Sequence, residues 1–389
     1  MEYNFDLLHN RKQTGSVKWD FNQQTFGRGD ILPLWVADMD FQVPEPVLRA
    51  LTERAEQGIY GYSEGLHGYY ESLMTWMRNY HGWEIEKDWI MFSPGVVTAL
   101  NGLIQVLTQP GDSVLIQTPV YPPFSTAVQN HGRELVKSPL KIENGRYTMD
   151  FKDLEANFAQ GVKTMILCSP HNPVGRVWNS EELGRLAKLA LKYKVLIISD
   201  EIHGDLIYEG HQHIPFTTLT PELEACSVVC TSPSKTFNLA GLQTSNIIIP
   251  NPEYRQAYRS YLLQNGIHHP NVFGMVAQEA AYRYGREWLE QLMVYLKGNI
   301  DYVMEFLTTE LTQVRATRPE GTYLAWLDFR ELGITPLALQ EFLVHKAGVG
   351  LNAGHTFGPG GEGFARLNLA SPRSMIIEGL ERIKRAIQE

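Results

Sequence analysis

The residues best suited to chemistry are Tyr121, Asn172, Asp200 and Lys235, each at or just beyond the end of an apolar segment. SVLIQTP runs out to Tyr121, TMILCSP to Asn172 of HNPVG, VLIISD to Asp200, and SVVCTSPSKTFNLAGLQ delivers Lys235. A lysine amine, with an ordinary pKa of about 10.4, is a poor nucleophile until its site desolvates it or crowds it with positive charge. The neighbours of Lys235 suit that task. Ser232 and Ser234 offer hydroxyls and backbone N–H groups to a phosphate, and the small residues around Gly241 let the chain pack close to a bound ring. Lys235 is therefore expected to hold a cofactor aldehyde as a Schiff base. Alone, a lysine after a strand reads more simply as a solvated charge, and Asp200 and Asn172 as a helix cap and a turn residue. Together the four form the set that pyridoxal phosphate requires. Its aldehyde takes a lysine, its protonated ring nitrogen a carboxylate, its phenolic oxygen a donor and its ring face an aromatic partner.

The elements that must position this set are continuous apolar strands alternating with amphipathic helices, a pattern that predicts a mostly parallel sheet covered on both faces. Such sheets bind ligands at the carboxyl ends of their strands. WIMFS leads through Pro94 and Gly95 into a helix whose face is Val96, Leu100, Leu103, Ile104 and Leu107, and the free N–H groups at its start can cradle a phosphate. Asn179 and Glu182 read as a capping box, ahead of a buried stripe of Leu183, Leu186, Ala187, Ala190 and Leu191. Earlier, WVADMDF is an extended apolar segment whose Asp38 and Asp40 read as capping or solvated acids, with a metal site the lesser reading. A helix is expected from about Glu45 to Gly58, then a loop, YGYSEGLHGYY, whose Tyr60, Tyr62 and His67 are either interface contacts or simply packed.

After Ile249 the helical periods lengthen, with one long helix expected from Trp288 to Leu311. A strand in TYLAWLDF, a helix near 336–346, strands near Val349 and 364–369 and a last helix from Pro372, capped by Ser371, suggest an α+β lobe. A chain of 389 residues is long enough for two cores, since single cores stop growing near roughly 250–300 residues. The expected division is an N-terminal segment, 1–50, joining the small domain, a large cofactor-binding domain, 51–287, and a small domain, 288–389. A hydrophobic fraction of 43% with 20% charged residues is ordinary for a globular protein. Its apolar runs fall short of the roughly 18 residues that span a bilayer. The net charge of -9 argues against a nucleic-acid partner. Cys168, Cys226 and Cys230 have neither metal-like nor disulfide-like spacing, and the N-terminus carries no leader pattern, so a cytoplasmic protein is expected.

WVADMDF, GYS, SPGVVTAL, TPVYPPF, SPHNPVGRVW, SDEIHGDL, PSKTFNLAGLQ, TYLAWLDF and GFARLN together resemble the fold type I pyridoxal phosphate enzymes, and within them the MalY/PatB group of cystathionine β-lyase-like carbon–sulfur lyases. The resemblance covers nearly the whole chain. It implies an α/β fold with a mostly parallel seven-stranded sheet in the large domain. By it, Lys235 is the Schiff-base lysine, Asp200 pairs with the pyridine nitrogen, Asn172 bonds the phenolic oxygen and contacts substrate, and Tyr121 stacks on the ring. Phosphate falls to Ser232, Ser234 and the amides of Val96 and Val97, with Tyr62 arriving from the second subunit of a homodimer. Arg366 matches the arginine that clamps the substrate carboxylate. Related aminotransferases carry a tyrosine and an arginine where this chain has His203 and Gln243, a departure toward the lyase branch that leaves His203 near the cofactor with an open role. The implied reaction is β-elimination of L-cystathionine or another cysteine S-conjugate to thiol, pyruvate and ammonia. Aminotransferase activity and a purely regulatory role are the rivals. The motif around Lys235 predicts a yellow protein in which borohydride fixes the cofactor to that residue. Peptide mapping checks this, and cofactor fixed on another lysine contradicts it.

Overall fold

Each of the apolar segments that ends in a candidate residue is a strand of one seven-stranded sheet in the computed structural model, which describes residues 2–65 and 67–389. In chain order these strands are β1 (Ile90–Ser93), β2 (Ser113–Thr118), β3 (Glu134–Pro139), β4 (Thr164–Cys168), β5 (Leu196–Asp200), β6 (Ser227–Thr231) and β7 (Ser245–Ile248). Across the sheet the order is β1-β7-β6-β5-β4-β2-β3. The strands from β6 to β3 are mutually parallel, and β7 lies antiparallel between β6 and β1. β1 therefore points the same way as the parallel strands, and its carboxyl end shares their edge.

Every residue of β4 and of β5 is buried, the consequence of helices covering both faces. One face receives Val96, Ala99, Leu100, Leu103 and Ile104 of the helix Val96–Leu107. The other receives Leu183, Leu186, Ala187 and Ala190 of the helix Ser180–Tyr193, which the expected Asn179–Glu182 capping box starts. Each fully buried Leu or Ile contributes roughly 1.5–3 kcal/mol. Such a core makes the sheet a rigid base for the residues at its edge.

The long helix runs Arg286–Thr309, close to its expected extent. Beyond it, Arg315–Thr317, Leu324–Asp328, Phe364–Asn368 and Asn352–Ala353 form a four-stranded sheet in that order. The helix Pro336–Glu341 continues into a π-helical segment, Phe342–Lys346. The tyrosine-rich loop is shorter than expected, because a helix, His67–His81, absorbs Tyr69 and Tyr70 and buries Tyr69. Leu66 and the His67 side chain, both in that expected loop, lie outside the described residues. Among the described residues no helix is long and apolar enough to cross a membrane.

The N-terminal segment reaches the second sheet. Leu32–Pro33 pairs in parallel with Val349–Gly350, and Asn368 Nδ2 donates to the carbonyls of Val36 and Asp38, both at 2.6 Å. Asp38 and Asp40 are ion-paired and cap no helix; Asp40 is buried and Asp38 stays partly exposed. Arg11 binds Asp38 at 2.6 Å and Asp40 at 2.7 Å, while the buried Lys18 binds Asp40 at 2.5 Å. Ser371 serves this cluster, donating to Asp40 Oδ2 at 2.7 Å, so the last helix, Arg373–Gln388, starts with Pro372 at its cap position and without the expected serine cap. A buried carboxylate demands donors more strongly than helix-end N–H groups that water can reach.

Burial alone would raise the Asp40 carboxyl, but Lys18, Ser371 and Trp19 hold it below the ordinary carboxylate range. A depressed folded pKa contributes stability above the unfolded value of about 3.9 and loses it as pH falls through the folded value. Asp40→Ala, which leaves the buried Lys18 only the longer contacts to Asp38 at 3.7 Å and Ser371 at 3.3 Å, should cost about 3 kcal/mol at neutral pH in denaturant unfolding. The deficit should shrink below about pH 4.

Candidate active site

At the carboxyl edge of the sheet lies a cavity of about 430 Å³. Val96, Val97, Tyr121, Asn172, Asp200, His203, Ser234, Lys235 and Arg366 all line it. Two sequence candidates do not. Ser232 is buried with its hydroxyl donating to Thr244 O at 2.7 Å while accepting from Ser234 N and lying 2.8 Å from Ser234 Oγ, so it caps the turn instead of facing a ligand. Tyr62 is fully exposed at 108% and stands apart from the cavity of its own chain. A Cβ at Gly241 would meet no protein atom within 4 Å.

Lys235 sits in a helix of one turn, Pro233–Thr236, just past β6. Its Nζ donates to the carbonyl of Ala37 at 2.7 Å. Burial lowers the amine to about 8, Arg366 pushes the same way, and Asp38 and Asp200 oppose. Asp200 ends β5, in register between Cys168 of β4 and Cys230 of β6. Among the described residues its carboxylate accepts one hydrogen bond, from Ile202 N at 3.2 Å. Burial raises Asp200 to about 7 against the pull of that bond and of Lys235. A carboxylate so weakly compensated in a low-dielectric site favours a cationic partner.

Arg366 projects from the second sheet, from the strand Phe364–Asn368. One Nη donates to Asn172 Oδ1 at 3.0 Å, and the other to Asn352 Oδ1 at 2.6 Å and Trp35 O at 3.1 Å. The guanidinium stacks on the Phe357 ring, 5.1 Å from its centroid. Burial lowers it only to about 10, so it stays charged at neutral pH. Every hydrogen-bond partner it has among the described residues is neutral, and its buried Nε has none. A buried guanidinium held this way is matched by a carboxylate. Its bond to Asn172 Oδ1 leaves the Asn172 amide N–H groups to act as donors.

Burial raises the Tyr121 phenol, with Asp200 adding to the effect and Arg366 opposing it, so Tyr121 is neutral beside the other groups. Burial, Lys235 and Arg366 hold His203 well below the usual imidazole range. His203 is therefore neutral, with no hydrogen-bond partner for its Nδ1 among the described residues and its ring edge-on to Tyr323 at 5.8 Å.

Three contributors escaped the sequence reading. The Ala37 carbonyl accepts from both Lys235 and Tyr323, the latter at 2.8 Å, while Trp35 and Asn352 hold Arg366. WVADMDF marks the first two only as part of an extended segment, because a carbonyl acceptor carries no side-chain signature. Asn352 lies opposite Arg366 in the strand register, a pairing that local pattern does not carry.

The residues present fit pyridoxal phosphate. A desolvated amine, a carboxylate in need of a cation and a neutral aromatic face converge on one cavity, and the N-terminus of the helix Val96–Leu107 opens into it through Gly95. In cofactor-free protein the Lys235 amine should titrate near 8, measured by competitive labelling of that peptide against pH. Arg366→Gln should move the midpoint upward by removing a positive neighbour, and a wild-type midpoint at the ordinary lysine value of about 10.4 would contradict the geometry.

The chain matches the family model for aminotransferase class I and II over residues 29–383. It is 45% identical over 385 residues to cystathionine beta-lyase PatB of Bacillus subtilis (strain 168), covering 99% of this chain and 100% of that one. Among solved structures it is similar to cystalysin from Treponema denticola, which contains a pyridoxal 5'-phosphate cofactor, with TM-score 0.97, 38% identity and coverage of 100% of this chain and 99% of that one. It is also similar to the pyridoxal phosphate-bound C-S lyase from Staphylococcus hominis, with TM-score 0.94, 35% identity and the same two coverages. With its cavity at the strand ends and this likeness along its length, the chain belongs to the class I and II aminotransferase family.

Proposed function

We propose that this chain is a pyridoxal phosphate-dependent carbon–sulfur β-lyase that cleaves L-cystathionine or a related cysteine S-conjugate to a thiol, pyruvate and ammonia. The observation that carries the reading is Arg366, a buried guanidinium with neutral partners only, facing the same cavity as Lys235 and Asp200. An amino-acid carboxylate supplies the missing charge. The names of the relatives support the class of reaction.

When bound, the cofactor supplies an aldehyde that takes up the substrate amine and a ring that accepts an electron pair from the alpha carbon. Asp200 would hold a positive charge at the ring nitrogen, the role that its poorly compensated burial favours. Tyr121 would cover the ring face, and the Asn172 amide would donate to the phenolic oxygen. The Val96 and Val97 N–H groups and the Ser234 hydroxyl would hold the phosphate. Arg366 orients the substrate through its carboxylate, as its planar fork allows. Lys235, lowered to about 8, is in part a free base near neutral pH and removes the alpha proton. Trp35, Val36, Val97 and Ile202 present apolar surface that keeps water from the reacting carbon. The thiolate then leaves the beta carbon with the electrons of the broken C–S bond, protonated by Tyr121 or by Tyr62 of a second subunit, and the released 2-aminoacrylate takes up water to give pyruvate and ammonia. His203, neutral and unpartnered at Nδ1, is a cofactor contact in this reading.

The same reading has 51–287 as the cofactor-binding domain, with 1–50 and 288–389 bringing Trp35, Asn352 and Arg366 over it, in a cytoplasmic homodimer. The full exposure of Tyr62, which does not line the cavity of its own chain, supports its placement in the neighbouring site.

The decisive assay supplies L-cystathionine without a keto acid. Equal yields of thiol and pyruvate are expected, and turnover that requires a keto-acid acceptor would overturn the reading in favour of transamination. Asp200→Ala should cut the rate by about 10²–10³, the loss typical of a preorganised charge. Mixing the impaired variants Tyr62→Phe and Lys235→Ala should restore up to about half of a normal dimer's activity, since a two-fold dimer then holds one site free of both lesions. No recovery, with subunit exchange verified, would place Tyr62 in its own subunit's chemistry or in none.

A further inference from the structure

Lys235 rides on a helix of four residues, too short to be stable alone, so the position of its amine is set by tertiary contacts. On one side of the turn Ser232 is tied to Thr244 O. On the other, Thr236 is fully buried and its hydroxyl donates to Asp205 Oδ2 at 2.6 Å. Asp205 Oδ1 accepts from Trp76 Nε1 at 2.9 Å and pairs with His81 Nε2 at 2.7 Å, both from the helix His67–His81. None of these four residues lines the cavity.

Asp205 closes a short loop that begins at Asp200. The start of that loop is also pinned: Glu201 accepts from Ser199 Oγ at 2.7 Å and Phe216 N at 2.9 Å, and pairs with His213 Nε2 at 2.9 Å. The His81 and His213 rings meet edge-on at 5.4 Å, closing the two carboxylate–histidine pairs into one buried frame. Asp200 is therefore fixed at one end of the loop, and the turn that carries Lys235 is fixed to the other.

We propose that Thr236, Asp205 and His81 are positioning residues that set Lys235 relative to Asp200, holding the amine at the distance from the ring carboxylate that one cofactor spans. The inference rests on the assignment of Lys235 and Asp200 above. Asp205, the last acid of the DEIHGD stretch, and Thr236, the residue after the lysine, thereby gain a role. Positioning acts on the rate at which the amine meets an aldehyde, whereas a role in stability alone leaves that rate unchanged.

The test uses cofactor-free protein mixed with pyridoxal phosphate, quenched with borohydride at successive times and mapped by peptide, alongside thermal melting and steady-state kinetics. Thr236→Ser, which keeps the hydroxyl, should capture cofactor at Lys235 within about twofold of wild type. Thr236→Val, close in shape but without the hydroxyl, should capture about tenfold more slowly and lose kcat to a similar degree, with KM little changed. Asp205→Asn should shift capture in the same direction and serves if the valine variant does not fold. Capture by Thr236→Val at the wild-type rate, or equal slowing of the serine and valine variants, would overturn the positioning role. Wild-type capture at another lysine would instead overturn the assignment of Lys235 itself.

Discussion

Three buried charges that the chain does not balance for itself govern this structure. Lys235, Asp200 and Arg366 share one cavity, yet Lys235 bonds a carbonyl, Asp200 a backbone N–H and Arg366 two carboxamides and a carbonyl. Desolvation dominates all three, lowering the lysine to about 8 and the arginine to about 10 and raising the aspartate to about 7. Leaving charges unpaired in a low dielectric costs several kcal/mol each, so the site gains most from a ligand that brings a cation to Asp200 and an anion to Arg366. A protonated ring nitrogen and an amino-acid carboxylate are those two groups.

The rest of the fold sustains this imbalance. A sheet buried on both faces holds Asp200 between two thiols instead of water, and the strand ends beside it present Tyr121, Asn172 and Lys235. The cover over Arg366 comes from chain far away in sequence, since Trp35 and Ala37 are set by the Leu32–Pro33 pairing and by the carbonyl contacts of Asn368. Arg11 and Lys18 fix the same segment through Asp38 and Asp40. In contrast to the cavity, this anchor is a cluster in which cations and carboxylates meet directly. The chain thus pairs its charges where it needs rigidity and leaves them unpaired where it binds.

Much of this was legible in the sequence because the signals are local. A nearly all-apolar strand such as Thr164–Cys168 reads as buried on both faces, and a polar residue at or after its end reads as a carboxyl-edge ligand, which located Asn172, Asp200 and Lys235. What escaped depends on partners remote in the chain. Lys235 bonds a carbonyl 198 residues away, and Ser371 reaches Asp40 across 331. Ser232 illustrates the same limit at short range: its hydroxyl suits a phosphate or a helix cap equally by type, and the Thr244 carbonyl decided for the cap.

In the proposed function Asp200, raised by burial, would be satisfied by a cation on the bound ring. The ¹⁵N chemical shift of cofactor labelled at the ring nitrogen, followed in the loaded protein against pH, reads that proton directly. The nitrogen should stay protonated through neutral and mildly alkaline pH and lose its proton readily in Asp200→Ala. A ring nitrogen already unprotonated at neutral pH in the wild-type protein would contradict it.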